Sequence, residues 1–425
     1  CGAEYHRSTM TPGVDAADGS GEAGRSLGRN FRTVWLSVLV SSTGDGMFVT
    51  AFPLLAAMLT RDPRLIAGVT IALRLPWLLL ALFTGTIADR MDKRRLLIAA
   101  DLSRMVIVGA LGIAVLADVA TIWLLYVCAF LLTTGDTLHV NTAQALLPDI
   151  VEQPQLLQAN ARFASAQFAA AQFAGPPLGV AAYQAAASVP FFADAVSFAG
   201  SAALASQLPR SRRTRSDVVL GTRSSLRNDM LEAVRFVWHS PLYRAICGTL
   251  AFSNFFYFGA ISLLVLYTEE HLGSGTGVYS LLFVGSAAGT VLTRWFVSGM
   301  VRSLGAARSL ALPLWLWAVP LLGMVLSDSP VVAVAMMTLL GVGTGIWIAV
   351  NSTVRQAITP PHLLGRANAI YRTVSWGVVP FGAAFGGFTA HQFGLLTPFV
   401  IAGVASVPLA LVGPRLFRSA AAHLH

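Results

Sequence analysis

Twelve stretches of this chain are each long enough and apolar enough to cross a lipid bilayer, and that feature removes almost every soluble fold. A helix needs ~20 predominantly apolar residues to span the hydrocarbon core. Candidate spans run over 33–58, 66–88, 96–117, 122–145, 160–183 and 188–207. After a polar break they resume over 243–268, 275–299, 309–326, 330–354, 366–390 and 395–414. Only 12% of the residues are charged and 55% are hydrophobic. A soluble domain carries ~25% charged residues, so this chain could not cover a water-facing surface. The 38 glycines and 20 prolines fit the same reading, because membrane helices tolerate both and small residues let backbones approach. The expected fold is all-α and integral to the membrane, with twelve transmembrane helices in two six-helix bundles.

The net charge is +9. Its cations sit in short loops between apolar runs, which argues for membrane topology and against nucleic-acid binding. With the N-terminus on one side, 23 of the 29 basic residues fall on the side of the termini, and only Arg61 and Arg64 fall opposite. Arg74, Arg104, Arg294 and Arg372 lie within spans. The positive-inside rule then places both termini in the cytoplasm of a multi-pass inner-membrane protein. The expected order is a disordered tail (1–30), a first bundle (31–207), a linker (208–242), a second bundle (243–415) and a short tail (416–425). The sequence begins with Cys, Met10 is a possible start, and no cleavable signal peptide is expected. In the linker, Leu226, Met230, Ala233, Val234 and Val237 recur at helical spacing, predicting an amphipathic helix on the cytoplasmic face. Its Pro209-Arg210-Ser211-Arg212-Arg213 run is read as a topology signal ahead of a lipid or partner site. Cys1, Cys128 and Cys247 form no paired pattern, so no disulfide framework, metal site or cofactor is expected.

The two halves repeat. Gln144-Ala145-Leu146-Leu147-Pro148 closes the fourth span and Gln356-Ala357-Ile358-Thr359-Pro360 the tenth. Ala159-Asn160-Ala161 opens the fifth and Ala367-Asn368-Ala369 the eleventh. Six plus six helices with repeated loop signals is a secondary-transporter plan, with the binding site between the halves.

The strongest local signal is Gly85-Thr86-Ile87-Ala88-Asp89-Arg90-Met91-Asp92-Lys93-Arg94-Arg95. Topology alone accounts for its cations, but it calls for neither Gly85 nor Asp89. The run resembles the signature loop of the major facilitator superfamily, G-x-x-x-D-R-x-G-R-K, with Asp92 in place of the second Gly. That resemblance implies a twelve-helix fold alternating between two openings. Gly85, Asp89, Arg90, Lys93 and Arg94 would form the latch between the halves. Pro148-Asp149-Ile150-Val151, Asp194-Ala195-Val196-Ser197-Phe198 and the second-half loop carrying Arg355, Gln356, Pro360, Gly365 and Arg366 resemble the drug-exporter branch with its macrolide-efflux and enterobactin-exporter-like proteins. Gly175, Pro176, Pro177 and Gly179, inside the fifth span, resemble the exporters' antiporter motif, which implies efflux. A plain packing kink is the competing reading.

Ionisable groups within spans are costly and therefore informative. Asp45 shares a helix face with Ser41, Phe48 and Phe52, and Arg74 is placed to neutralise it. Asp136 and His139 are three residues apart, and Asp194 lies toward the outer end of the sixth span. These five, Asp45, Arg74, Asp136, His139 and Asp194, are the proton-coupling candidates. Simple pairing with a nearby Arg or helix end weighs equally for each. Asp101 and Arg104, at i and i+3, are expected to pair with each other. The second half has no acid away from its span ends, and Phe255, Phe256, Tyr257 and Trp376 are its cavity aromatics alongside Phe48 and Phe52 of the first. The reading is a monomeric exporter of an amphipathic small molecule by proton antiport. The alternatives are nutrient uptake and, in another class, a receptor or scaffold. Neither a nucleophile with its base nor an H-E-x-x-H pattern is present, so an enzyme is not expected.

Overall fold

The structure, a computed structural model, describes residues 27–209, 223–360 and 363–418, with side chains throughout except at 81–90, 157 and 223–230. The expected tails, most of residues 1–30 and 419–425, and the Arg210–Arg213 run lie outside the described residues. The first half comprises α1 (Gly28–Leu59), α2 (Pro63–Arg90), α3 (Lys93–Leu116), α4 (Ile122–Ile150), α5 (Leu156–Ala169), α6 (Gly175–Ala185) and α7 (Val189–Ser206). The linker helix α8 (Arg223–His239) follows. The second half comprises α9 (Pro241–Ile261), α10 (Leu264–Leu266), α11 (Thr276–Leu292), α12 (Val297–Val325), α13 (Pro330–Ile358), α14 (Leu364–Gly377), α15 (Val379–Phe393) and α16 (Thr397–Leu416).

Among the described residues nine helices are long and apolar enough to cross a bilayer. A tenth span is the pair Pro241–Ile261 and Leu264–His271, bent by 46°. The fifth and eleventh expected spans are each broken midway. α5 passes through a π-helical turn, Ala170–Ala174, into α6, whose first residues are Gly175-Pro176-Pro177. α14 hands over to α15 at Val378, just before Pro380. Proline lacks the N–H that an uninterrupted helix needs, so both breaks fall where the sequence removes a backbone donor. The eighth and ninth spans meet inside α12 at Gly305, whose φ of 76° and ψ of 164° leave helical geometry. That left-handed φ favours glycine, so the turn sits there rather than in a longer loop.

Packing repeats helix by helix. α2 packs on α4, α3 on α4 and α7, and α1 on α6 and α7. Correspondingly α11 packs on α13, α12 on α13 and α16, and α9 on α15 and α16. The contacts between halves obey the same two-fold relation: α2 meets α15, and α11 meets α6. Lipid is as apolar as leucine, so close packing and polar contacts must hold these bundles together. Two glycine crossings show how. A Cβ on Gly46 would come within 2.7 Å of the Ala171 carbonyl and 2.8 Å of the Gly175 Cα, and one on Gly259 within 3.0 Å of the Gly382 carbonyl. Outward, Val106, Ile113, Val127, Val319, Phe381 and Leu411 are exposed, forming an apolar belt suited to acyl chains.

Candidate functional site

The first half is organised around one buried arginine. Arg104, on α3, is 1% exposed. Its guanidinium pairs with Asp45 of α1. It lies 3.7 Å from Asp101 and 3.8 Å from Asp136 of α4, and donates to Ser41 Oγ at 3.2 Å. The ring of Phe198, from α7, lies beneath it at 3.9 Å. Asp101 is in turn held by Ser201 Oγ, donating at 2.6 Å, and faces His139 Nδ1 at 2.9 Å. Ser37 and Ser201 continue the chain at 2.7 Å. Four helices thus converge on one guanidinium. Like-charged carboxylates brought this close in a dry interior are stabilised only by a shared cation or a proton.

Asp45 and Asp136 keep one side open. Their side chains are 28% and 27% exposed, and both line a cavity of about 440 Å³, within the range that takes a drug-sized molecule. Its walls include Phe48, Leu73, Arg74, Trp77, Gln167 and Phe168. A second space of about 10 Å³ lies behind, bounded by Ser41, Asp45, Asp136 and His139; it is water-sized and lined by polar groups. Asp194, on α7, also lines the cavity and accepts from Ser197 Oγ at 3.1 Å. Gly44 admits it, since a Cβ there would collide with Asp194 Oδ1.

The structure brings Asp45, Asp136, His139 and Asp194 into one region, with one change to the expected pairing. Asp45 is neutralised by Arg104, not Arg74. Arg74 points away to the second half, 5.4 Å from the ring of Phe258 and 5.7 Å from Trp376. Arg104 and Asp101 pair as expected, at 3.7 Å, and Asp45 from another helix approaches the same guanidinium more closely. Phe52 is not a cavity residue. It is wholly buried and packs edge-on against Phe191, one turn deeper than Phe48. Phe255 and Phe256 pack tilted and edge-on against Phe385 and Trp376 reaches Arg74; with Tyr257 they stand outside the lining of the described cavity, against expectation. Trp77, Phe168, Gln167 and Phe258 were not singled out from the sequence, having no pattern to mark them among the many apolar and small polar residues.

Two loop motifs serve their own bundles. Lys93 Nζ donates to the Ala145 carbonyl and to Asp149, each at 2.7 Å, and Arg94 binds the Ser206 carbonyl. Asp92, the departure from the loop pattern, caps α3 by accepting from the Arg95 N–H at 3.0 Å, a favoured use of Asp at this position. The side chains of Gly85, Asp89 and Arg90 lie outside the described residues. In the second half Arg355 stacks on Tyr371 at 3.7 Å, donates to Asn351 at 3.1 Å and binds Asn368. Gln356 and Gly365 are exposed beside it, and Pro360 follows the end of α13. Arg366 stands in the first turn of α14.

The halves are joined at the end opposite the chain termini. Arg61 pairs with Glu269, His391 Nδ1 lies 3.5 Å from Asp62, and Gln184 donates to Thr276 at 2.9 Å. A Cβ on Gly387 of α15 would press on Ala67 and on the backbone of Pro63 and Arg64 of α2, all within 3.0 Å.

Two repeated helical bundles joined at one end, the first lining a cavity and carrying buried charge, fit a multi-pass membrane transporter. A family model described as transmembrane secretion effector matches residues 27–420, and the chain belongs to that family of the major facilitator superfamily. It is similar to the multidrug efflux pump Tap of Mycolicibacterium fortuitum, at 23% identity over 393 residues covering 89% of this chain and 93% of that one. Among solved structures it is similar to the nucleoside transporter NupG, with a TM-score of 0.74 and 11% identity, covering 92% of this chain and all of that one. A bacterial homologue of the lysosomal transporter Spinster, in an inward-facing and unoccupied conformation, gives 0.68 at 13% identity, covering 92% and 95%. These likenesses are to the fold. Homologues and fold are those of transporters, not enzymes.

The closed end makes a direct prediction. With cysteines at 61 and 269, a short thiol cross-linker should join the two halves of most molecules in isolated membranes, read after a protease cut in the linker. The native Cys128 and Cys247 are buried and should stay unreacted. A yield no higher than that of single-cysteine controls would mean that this end is open.

Proposed function

We propose that this transporter exports an amphipathic small molecule (an antibiotic, a drug or a siderophore-like metabolite) across the cell membrane in exchange for protons, working as a monomer with both termini in the cytoplasm. One observation carries the reading: Asp45 and Asp136 face the cavity on one side and hold Arg104 on the other. A proton on Asp45 removes one of the charges that fix Arg104. The guanidinium is then drawn toward Asp136 and Asp101, and the contact between α1, α3 and α4 changes. The water-sized space lets the same proton reach His139. Cargo and proton thus act on one cavity, and each biases the equilibrium between the two openings by its unequal affinity for them. One charge crossing 100 mV is worth ~2.3 kcal/mol, enough for a cargo gradient of roughly 50-fold per proton.

The 23-to-2 split of basic residues supports cytoplasmic termini, which puts the closed end on the outer side in this reading. In alternating access the Gly85–Arg94 loop latches the opposite end when the direction reverses. Efflux draws support from the similarity to Tap and from the Gly175–Gly179 motif. Uptake would use the same geometry in reverse.

Asp45→Asn is the test. In everted vesicles carrying the protein at normal abundance, gradient-driven accumulation of a drug to which the wild type confers resistance should fall by at least tenfold. Counterflow exchange without a gradient should persist. Unchanged driven transport removes Asp45 from the coupling. Accumulation only in right-side-out vesicles would instead support uptake.

A further inference from the structure

We propose that Arg74 is the group that recognises the cargo, and that the cargo is therefore an amphipathic molecule carrying an anionic group, a carboxylate or its equivalent, on an apolar or aromatic body. The cavity has two arginines in its wall, and they are in opposite situations. Arg104 is fully committed, with Asp45, Asp101 and Asp136 all within ion-pair distance. Arg74 has, among the described residues, no carboxylate within that distance. It lies over the faces of Phe258 and Trp376, both beyond 5 Å from the guanidinium, and Asp136 and Tyr257 act on it from farther off. Cation–π contacts at such distances are weaker than a buried ion pair. A cation in a membrane cavity with no described carboxylate at ion-pair distance, on which Asp136 acts only from farther off while facing Arg104, is suited to an exchangeable counterion.

The surroundings suit the rest of such a molecule. Phe48, Leu73, Trp77 and Phe168 supply apolar and aromatic wall next to the guanidinium, and arginine binds a carboxylate with two parallel hydrogen bonds. A cationic cargo finds no equivalent opening: Asp45 and Asp136 already face Arg104, and Asp194, the third carboxylate in the wall, is 1% exposed, whereas Arg74 is only part-buried. The position of Arg74 adds a consequence. It stands on α2, while the rings it touches stand on α9 and α14 of the other half. An anion that takes the guanidinium weakens a contact between the halves, so the group that identifies the cargo also acts on the opening. The inference rests on the export reading for direction alone and is tested by binding.

Three matched probes decide it: naphthalene-2-carboxylate, naphthalene-2-carboxamide and 2-(aminomethyl)naphthalene, titrated into the purified, detergent-solubilised protein by equilibrium dialysis. The carboxylate should bind at least tenfold more tightly than either other member. Arg74→Gln should bring it down to the level of the amide and leave the amide unchanged. Arg74→Lys, which keeps the charge and loses the fork, should retain part of the preference and serves if the glutamine variant does not purify. Equal binding of all three, preference for the amine, binding of none, or a carboxylate preference that survives both substitutions overturns the assignment. If the preference holds but proteoliposomes show no proton-driven movement of the carboxylate, the export reading fails and the recognition role of Arg74 stands.

Discussion

An Arg104→Gln chain should be destabilised by about 3–5 kcal/mol, the cost of breaking a buried ion pair from one side, and should show a clearly lowered thermal midpoint in detergent. The substitution leaves Asp45, Asp101 and Asp136 with no shared cation, in a site where Arg104 is 1% exposed. It also removes the guanidinium from the Phe198 ring. The comparison that gives the number meaning is Arg61→Gln. Arg61 likewise pairs with an acid, Glu269, but its side chain is 62% exposed, and exposed pairs contribute ~0–1 kcal/mol. Arg104→Gln combined with Asp45→Asn should recover part of the loss, because the orphaned carboxylate is then neutral and residues in one network are not additive. If Arg104→Gln and Arg61→Gln melt together, the network does not hold the first bundle, and the coupling scheme built on it loses its centre.

The spans were legible because length and hydropathy are local properties. The twelve expected segments match the observed helices, except that the fifth, seventh and eleventh are interrupted and the stretch between the eighth and ninth is helical up to a turn at Gly305. The six-plus-six symmetry was legible in the loop repeats and reappears in the order of helix packing. The centre of the site was not. Within α3 the sequence offers Arg104 only Asp101, one turn away. Its closest partner, Asp45, is 59 residues distant, and Asp136 comes from a third helix. Helical spacing correctly put Phe48 and Phe52 on one face, but spacing does not tell depth, and Phe191 covers the second ring. Arg74 was assigned to Asp45 by proximity of spans, whereas its direction is set by rings in the other half. The linker helix was visible as a periodic stripe. The conformational state was not, because Arg61, Asp62, Gln184, Glu269 and His391 are ordinary loop-edge residues until the halves bring them together.

The glycine crossings yield the other large effect, one whose sign reverses with position. In an exposed helix interior, Gly→Ala stabilises by about 0.5–1 kcal/mol, since alanine loses less backbone freedom. Gly248→Ala on α9 should behave in that way or be neutral, because a Cβ there meets nothing within 4 Å. Gly46→Ala, Gly175→Ala, Gly259→Ala and Gly382→Ala should do the opposite. At Gly175 the new methyl meets the backbone of Gly46 and lies 2.9 Å from the Met47 N, and at Gly382 it meets the Phe255 carbonyl and lies 2.9 Å from its Cα. Backbone cannot rotate aside as a side chain can, so the helices must separate, at about 1–3 kcal/mol for overpacking of this kind. Without a hydrophobic force between helices to offset the loss, each of the four should lower the folded fraction by several-fold, measured by size-exclusion chromatography after mild heating. The paired design also tests the symmetry, because Gly46 with Gly175 and Gly259 with Gly382 occupy equivalent crossings of the two halves. Similar losses at both crossings, with Gly248→Ala unharmed, would tie the repeat to packing. Five variants that behave alike would mean that α1–α6 and α9–α15 are not held at backbone contact.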